Sequence, residues 1–412
     1  MQDAVVIDVS SVECRVGYSG SWKPQVVCRH GQEPYVFSDF CGLSFDAHEL
    51  EICIKKGLEA LRFSAKGKHH KSAGRGRLAH VLLVTPTQAR PELYWHLSQL
   101  LFEQFNIQSA YVARRATLDA YAYGLATALV LHAGASHSCS ALVRNGLVVT
   151  DRVFDSAAGG DLLDALLLEK LMDVPSGGSR PELTIEQVNQ LKEMSCHMPT
   201  VAERPDTRFV LPDGTKISLA GREHILADVP DFLFAPASLA YPQDRAFRYY
   251  HHGHARDLHY RDYTCGQYEF TGLQSMLASS FATSQELEAD LIPLPGGVEK
   301  LQSIRDLGSQ LVLAGGCTRI PGFMSRLNDE LLATSAGQRL RKETDCKRLS
   351  WYGGDRDSRK TASATFPNLP SPKFDHDAFA GAAIMASTAV PHWVSKAEYL
   401  DRGSTALSFH CD

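Results

Sequence analysis

The segment LVLHAGASHSCSALVRNG, Leu129 to Gly146, has the outline of a phosphate-binding β-hairpin whose acids have been replaced. An apolar run ends in a tight turn of Ala133, Gly134, Ala135 and Ser136, and a half-alternating run follows. Turns of this kind present successive backbone N–H groups to a phosphate, and a carboxylate at the end of the first strand holds the metal. Here His132 stands at that position, and Ala135 fills the other polar place in the turn. A similar frame occupies Ala4 to Gly20: an apolar strand, a turn at Ser10 and Ser11, and an alternating strand closing on Gly17. This copy keeps an acid, Asp8, and carries a cation, Arg15, on its second strand. Two such hairpins more than a hundred residues apart point to a duplicated domain with a nucleotide held between the halves. In QLVLAGGCTRIP, Gln310 to Pro321, a strand runs into Gly315 and Gly316 before a helix. Glycines there let a backbone approach a flat ligand, and the helix start favours an anion. A tight strand-to-helix turn is the plainer account of the same pair.

The elements that must position these residues read as α/β. Strand patterns alternate with amphipathic stretches, of which Leu93–Asn106 and Gly159–Leu171 are two expected helices. At 412 residues with 44% hydrophobic content, the chain can bury two substantial cores. A net charge of -5 gives no general affinity for nucleic acid. No apolar run approaches membrane-spanning length, and the N-terminal residues enter a strand by Ala4 without a signal-like core. The ten cysteines are scattered without a CxxC pair, the usage expected of reduced thiols in cytosol or nucleus.

Asp8 to Pro24, YVARRATLDAYAYGLATALVLHAG, LVLAGGCTRIPGFMSRL and FAGAAIMAS followed by WVSKAEY occur in the order and spacing of the actin family, which this chain resembles. The stretch LPDGTKISLAGREHILADVPDFLFAPASL resembles the same family. The resemblance implies an actin-like two-domain fold, with duplicated RNase H-like ATPase domains around a central nucleotide cleft. It implies a small domain of residues 1–122 plus 377–412, with its second subdomain reduced. A large domain of 123–376 would carry insertions near 241–270 and 339–372.

Carried over residue by residue, Asp8 matches the first metal-ordering acid, Ser10 and Ser11 the phosphate-binding turn, and Arg15 the phosphate-facing lysine. His132 matches the second acid, and Gly134 and Ala135 fall in the second turn. Arg115 takes the place of the water-positioning glutamine and Cys139 that of the assisting histidine. Lys192 and Glu193 match the base and ribose side, and Gly315 and Gly316 the adenine side; a solvated helix face is the plainer account of a Lys-Glu pair. Arginine stays protonated and cannot act as a general base. The resemblance with these replacements implies no ATPase activity and a site unfavourable to Mg²⁺. Two readings of an ATP or ADP ligand stay open: Arg115 and Arg15 take the metal's place against the phosphates, or Arg115 pairs with Asp8 or another acid and no nucleotide binds.

Three segments depart from the family. The chain is short between Pro24 and His80, where the family carries a filament contact, which argues against a homopolymer. A basic run, Ser64 to His80, reads as a solvated loop or as a docking patch for an acidic partner or nucleic acid. The insertion after Leu239 is rich in Tyr and Arg, a composition of protein interfaces. Its His251, His252, His254, His259 and Cys265 match no zinc spacing. Arg339 to Pro372 reads as an exposed loop. The expectation is a structural or capping subunit of a cytoskeletal assembly of microtubule-motor or flagellar type, located in cytoplasm or flagellum. Its protein partners would bind through the 241–270 insertion and the reduced subdomain. The alternatives are a nuclear chromatin-remodelling scaffold and an ATP-binding protein with residual ATPase.

Overall fold

A computed structural model describes residues 4–11, 13–29, 46–66, 80–89, 91–172, 183–199, 207–238, 248–251, 267–290, 310–333, 350–353, 376–388 and 392–409. The chain divides into two compact units. One comprises Met1–Val130, Ala141–Val153 and Asn368–Asp412, and the other Leu131–Ser140 and Phe154–Pro367.

The first unit is built on strand β1 (Ala4–Val9), whose six residues are all buried. β1 pairs antiparallel with β2 (Glu13–Tyr18) and parallel with β4 (His80–Thr85). β3 (Val26–Arg29) extends the β2 side, β5 (Ser109–Arg114) lies parallel to β4, and Val394–Ser395 closes the far edge. Strand alternation then sorts the side chains. Val5, Ile7 and Val9 join a core with Leu50 and Ile54 of α1 (Ala47–Lys66) and Leu93 and Leu97 of α2 (Pro91–Gln99). Ala4 and Val6 join the opposite core, with Leu118 of α3 (Arg115–Tyr121) and with Phe379, Ala382 and Ala383 of helix Asp377–Ser387. Asp8 holds the next even position, so the strand's own period carries its carboxylate to the face that α3 covers. Each large aliphatic or aromatic side chain buried this way contributes about 1.5–3 kcal/mol.

The expected helix Leu93–Asn106 forms as α2 and then widens into a π turn at Leu100–Gln104, where the Phe105 N–H donates to the Leu100 carbonyl at 3.0 Å. One carbonyl of the wider turn finds a partner in Lys396, whose Nζ donates to Phe102 O at 3.1 Å and also to the side-chain Oδ1 of Asn106. Tyr399 stacks on Phe102 with centroids 4.9 Å apart, so WVSKAEY belongs to this unit's core. In FAGAAIMAS, Gly381 is where its helix crosses α3: a Cβ there would lie 1.8 Å from the Leu118 carbonyl oxygen.

The second unit contains residues 131–133 of β6 (Ala128–Ala133), residues 138–140 of β7 (Ser138–Arg144) and the strands Phe154–Ser156 and Gln310–Ala314, all part of one mixed sheet. α4 (Gly160–Met172), α5 (Ile185–Ser195) and the helix Phe323–Ala333 accompany it. Its core includes Phe234 against Phe323, 5.0 Å between centroids. One sequence expectation needs correction here. The 339–372 segment is not loop throughout, since Ser350–Gly353 forms a strand parallel to Gln310–Ala314. Arg248–His251 and Gln267–Glu269 of the 241–270 insertion form a hairpin that pairs with Phe154–Ser156 and extends the sheet. At Ser350–Gly353, backbone pairing at a sheet edge outweighed the polar composition that suggested a loop. Residues 252–266, the rest of 339–372 and most of the Ser64–His80 run lie outside the described residues.

Candidate functional site

The β1–β2 register places Arg15 directly opposite Asp8. Glu13 lies two residues before Arg15 on the same strand face, and Arg115 is the first residue of α3, over that face. The four side chains meet. Arg15 Nη1 donates to Asp8 Oδ2 at 2.7 Å, and Arg115 Nη2 donates to Asp8 Oδ1 at 2.6 Å and to the Val9 carbonyl at 3.1 Å. Arg15 also donates from Nε to Glu13 Oε1 at 2.7 Å. Asp8 is fully buried, and Arg15 and Arg115 expose 15% and 7% of their side chains, so these pairs are screened far less than surface ones. Burial pushes the Asp8 carboxyl up, but Arg115 and then Arg15 pull harder, and it settles at about 2. Burial works against the charge of Arg15, yet Asp8 and Glu13 raise it above its ordinary value. An acid held at about 2 is a poor proton acceptor at neutral pH, and both its oxygens already accept charged hydrogen bonds.

The turn closes on itself. Ser10 Oγ accepts from the Glu13 N–H at 3.1 Å and donates to the Glu13 carbonyl at 3.0 Å, while Ser11 sits buried beside it. The Ser10 hydroxyl thus staples the hairpin by bonding Glu13 as both donor and acceptor. Thr87 Oγ1 accepts from the Ala116 N–H at 3.2 Å and satisfies one backbone donor in the first turn of α3.

In the second unit the β6–β7 turn packs onto the start of α4. The Gly160 N–H donates to the Gly134 carbonyl at 3.0 Å and the Asp161 N–H to the Ala135 carbonyl at 2.9 Å. Lys192, on α5, donates to the Gly160 carbonyl at 3.0 Å and to Asp164 Oδ2 at 2.8 Å. Asp164 Oδ2 also accepts from Asn189 Nδ2 at 2.9 Å. Lys192 is therefore not on a solvated face, whereas its neighbour Glu193 is exposed. Burial raises the Asp161 carboxyl, with Lys192 opposing and Asp164 reinforcing the shift. Cys317 Sγ contacts the Gly134 carbonyl at 3.2 Å, and burial first of all pushes its thiol up to about 11. Gly315 adopts φ +89°, and a Cβ on it would stand 2.3 Å from the Ala133 carbonyl oxygen, so this glycine is demanded by β6 itself. At Gly316 no described atom lies within 4 Å of an added Cβ.

The His132 ring lies 6.2 Å from that of His137, and Cys139 is buried opposite Asp155 where β7 pairs with Phe154–Ser156. Sequence reasoning singled out neither Glu13 nor Asp164, the two acids that pair with Arg15 and Lys192. Glu-Cys-Arg spacing on an alternating strand places Glu13 and Arg15 on one face, and Asp164 recurs one helical turn after Gly160; both were available signals.

The donor set can be weighed against a magnesium nucleotide. Hydrated Mg²⁺ needs free carboxylate oxygens. Those of Asp8 are engaged by two guanidiniums at 2.6 and 2.7 Å. Among the described residues no group of three His, Cys, Asp or Glu side chains could hold a metal. The metal does not fit this donor set. The room at Gly316 is compatible with the close approach of a flat base.

The actin family model matches residues 70–200 and 182–412. Actin-related protein 2 of Caenorhabditis briggsae is 25% identical over 336 residues, covering 78% of this chain and 68% of that protein. Actin-related protein 2 of Drosophila melanogaster is 23% identical over 339 residues, with coverages of 79% and 68%. Actin-related protein 4 of Oryza sativa subsp. indica is 23% identical over 370 residues, with coverages of 80% and 71%.

Proposed function

Because the chain belongs to the actin family, we propose that it is a catalytically inactive actin-related protein, a structural or capping subunit of a multiprotein cytoskeletal assembly of microtubule-motor or flagellar type. The observation that carries the inactive part is Asp8, the acid kept in the first hairpin, with Arg15 and Arg115 on its two oxygens. Hydrolysis in this fold asks for an ordered metal and a positioned water. Both oxygens of Asp8 already accept charged hydrogen bonds, which opposes the first, and the guanidinium of Arg115 cannot take a proton for the second.

Two features support a fixed subunit over a self-assembling one. Between β3 and β4 the 20-residue helix α1 is committed to the first unit's core, so little chain remains there for a filament-contacting subdomain. The 241–270 insertion extends the second unit's sheet with an added hairpin, a frame on which its Tyr- and Arg-rich sequence can be presented to a partner. A second reading, an adenine nucleotide retained without magnesium or turnover, rests on the room at Gly316 alone. Mass spectrometry of what the denatured protein releases separates that variant from a nucleotide-free one. The assembly itself is tested by tagging the protein in its native cell, imaging it and identifying what co-purifies in fixed ratio. Cytoskeletal subunits and a cytoplasmic or flagellar image are expected. A purely nuclear signal with chromatin proteins would overturn the cytoskeletal assignment.

A further inference from the structure

We propose that Asp8, Glu13, Arg15 and Arg115 form an internal substitute for a metal–phosphate centre, so that the first unit holds β1, β2 and α3 together with its own charges and needs neither divalent cation nor nucleotide to do so. The inference deepens the inactive reading of this hairpin.

Two acids and two arginines make the cluster formally neutral, the condition under which buried charge is tolerable. The contacts are distributed as a bound ligand's would be. Arg15 ties the two strands of the hairpin through Asp8 and is braced along its own strand by Glu13, and Arg115 ties the hairpin to α3 across 107 residues of sequence. The further bond from Arg115 to the Val9 carbonyl satisfies a main-chain acceptor at the end of β1, where the turn begins. A phosphate approaching these guanidiniums would have to displace a carboxylate already in place. A divalent cation approaching Asp8 would have to displace two guanidiniums. Either exchange leaves part of the cluster buried without its counter-charge.

The test is thermal unfolding of the full chain in EDTA, in Mg²⁺, in ATP with EDTA and in ATP with Mg²⁺. The wild-type midpoint should agree within about 1 °C across all four, since a ligand stabilises only what it binds. Asp8→Asn strands two buried guanidiniums and should lower the midpoint by roughly 6–12 °C in every condition. Arg115→Met leaves Asp8 paired with Arg15 and should lower it by about half as much. The double variant should lose less than the sum of the two, because the partners are coupled. A wild-type midpoint raised by roughly 5 °C or more with ATP, with or without Mg²⁺, would overturn the proposal. So would an Arg115→Met protein as stable as wild type, a comparison that stands even if Asp8→Asn does not fold. Ligand-induced stabilisation without turnover sinks the internal substitute and leaves the inactive reading intact. Turnover with an unshifted midpoint does the reverse.

Discussion

Lowering the pH should unfasten the Asp8 cluster in a calculable way. The folded protein holds the Asp8 carboxyl at about 2 against an ordinary value of 3.8. The native state thus binds the proton more weakly than the unfolded chain, and the contribution to stability is fully present above the unfolded value. It disappears as pH falls through the folded value. Each pKa unit is worth about 1.4 kcal/mol, so the difference amounts to about 2–3 kcal/mol at neutral pH. Roughly 1 kcal/mol of this should be gone by pH 3. Other carboxylates titrate over the same range, so the useful quantity is the stability gap between wild type and Asp8→Asn, measured by urea unfolding at pH 6, 4.5 and 3. The asparagine of that variant cannot titrate, so the gap should narrow by about 1 kcal/mol between pH 6 and pH 3 while the slopes of the unfolding curves stay equal. A gap independent of pH, or one that widens in acid, would mean that Asp8 is not ionised against two arginines in the folded state.

The second unit carries its own expectations. Lys192→Met removes a partner of the buried Asp164 carboxylate and should destabilise by roughly 3 kcal/mol in urea unfolding; a loss under about 0.5 kcal/mol would place that lysine in solvent. Gly315→Ala combines a positive φ with a clash on the Ala133 carbonyl and should cost about 2–4 kcal/mol, whereas Gly316→Ala should cost under about 1 kcal/mol. Equal costs would contradict the different roles of the paired glycines. Thr184→Ala opens the capping box at the start of α5, where Thr184 and Gln187 bond reciprocally, and should cost about 1 kcal/mol, with Thr184→Asn restoring most of it.

Much of the first unit is legible because one strand states it. AVVIDV is apolar at every position but one, so it reads as a central strand, and its lone acid falls on a fixed face by the two-residue period. Arg15 follows from the hairpin register in the same way. Whether Arg115 meets Asp8 is open in the sequence, since that contact depends on where α3 lands, a matter of long-range packing. Helix α1 is masked by the shortness of its segment and the basic run after it, although Leu50, Cys53, Ile54, Leu58 and Leu61 mark a helical stripe. Ser350–Gly353 is hidden for a different reason. Two residues with strand propensity, Trp351 and Tyr352, sit in a window of charge, Ser and Pro, and pairing with the edge of Gln310–Ala314 makes a strand of them and their neighbours. The second hairpin shows its frame and its missing acids at once, while the bond from Lys192 to Gly160 requires three elements to converge.

The central claim is that this actin-family chain has exchanged metal-dependent turnover for internal charge pairing. Its most direct test is release of phosphate from ATP by the purified full chain, with and without Mg²⁺, at enzyme concentrations high enough to detect a single turnover. No Mg²⁺-dependent release above the buffer control is expected. Phosphate release that requires Mg²⁺ and vanishes in Asp8→Asn would contradict it.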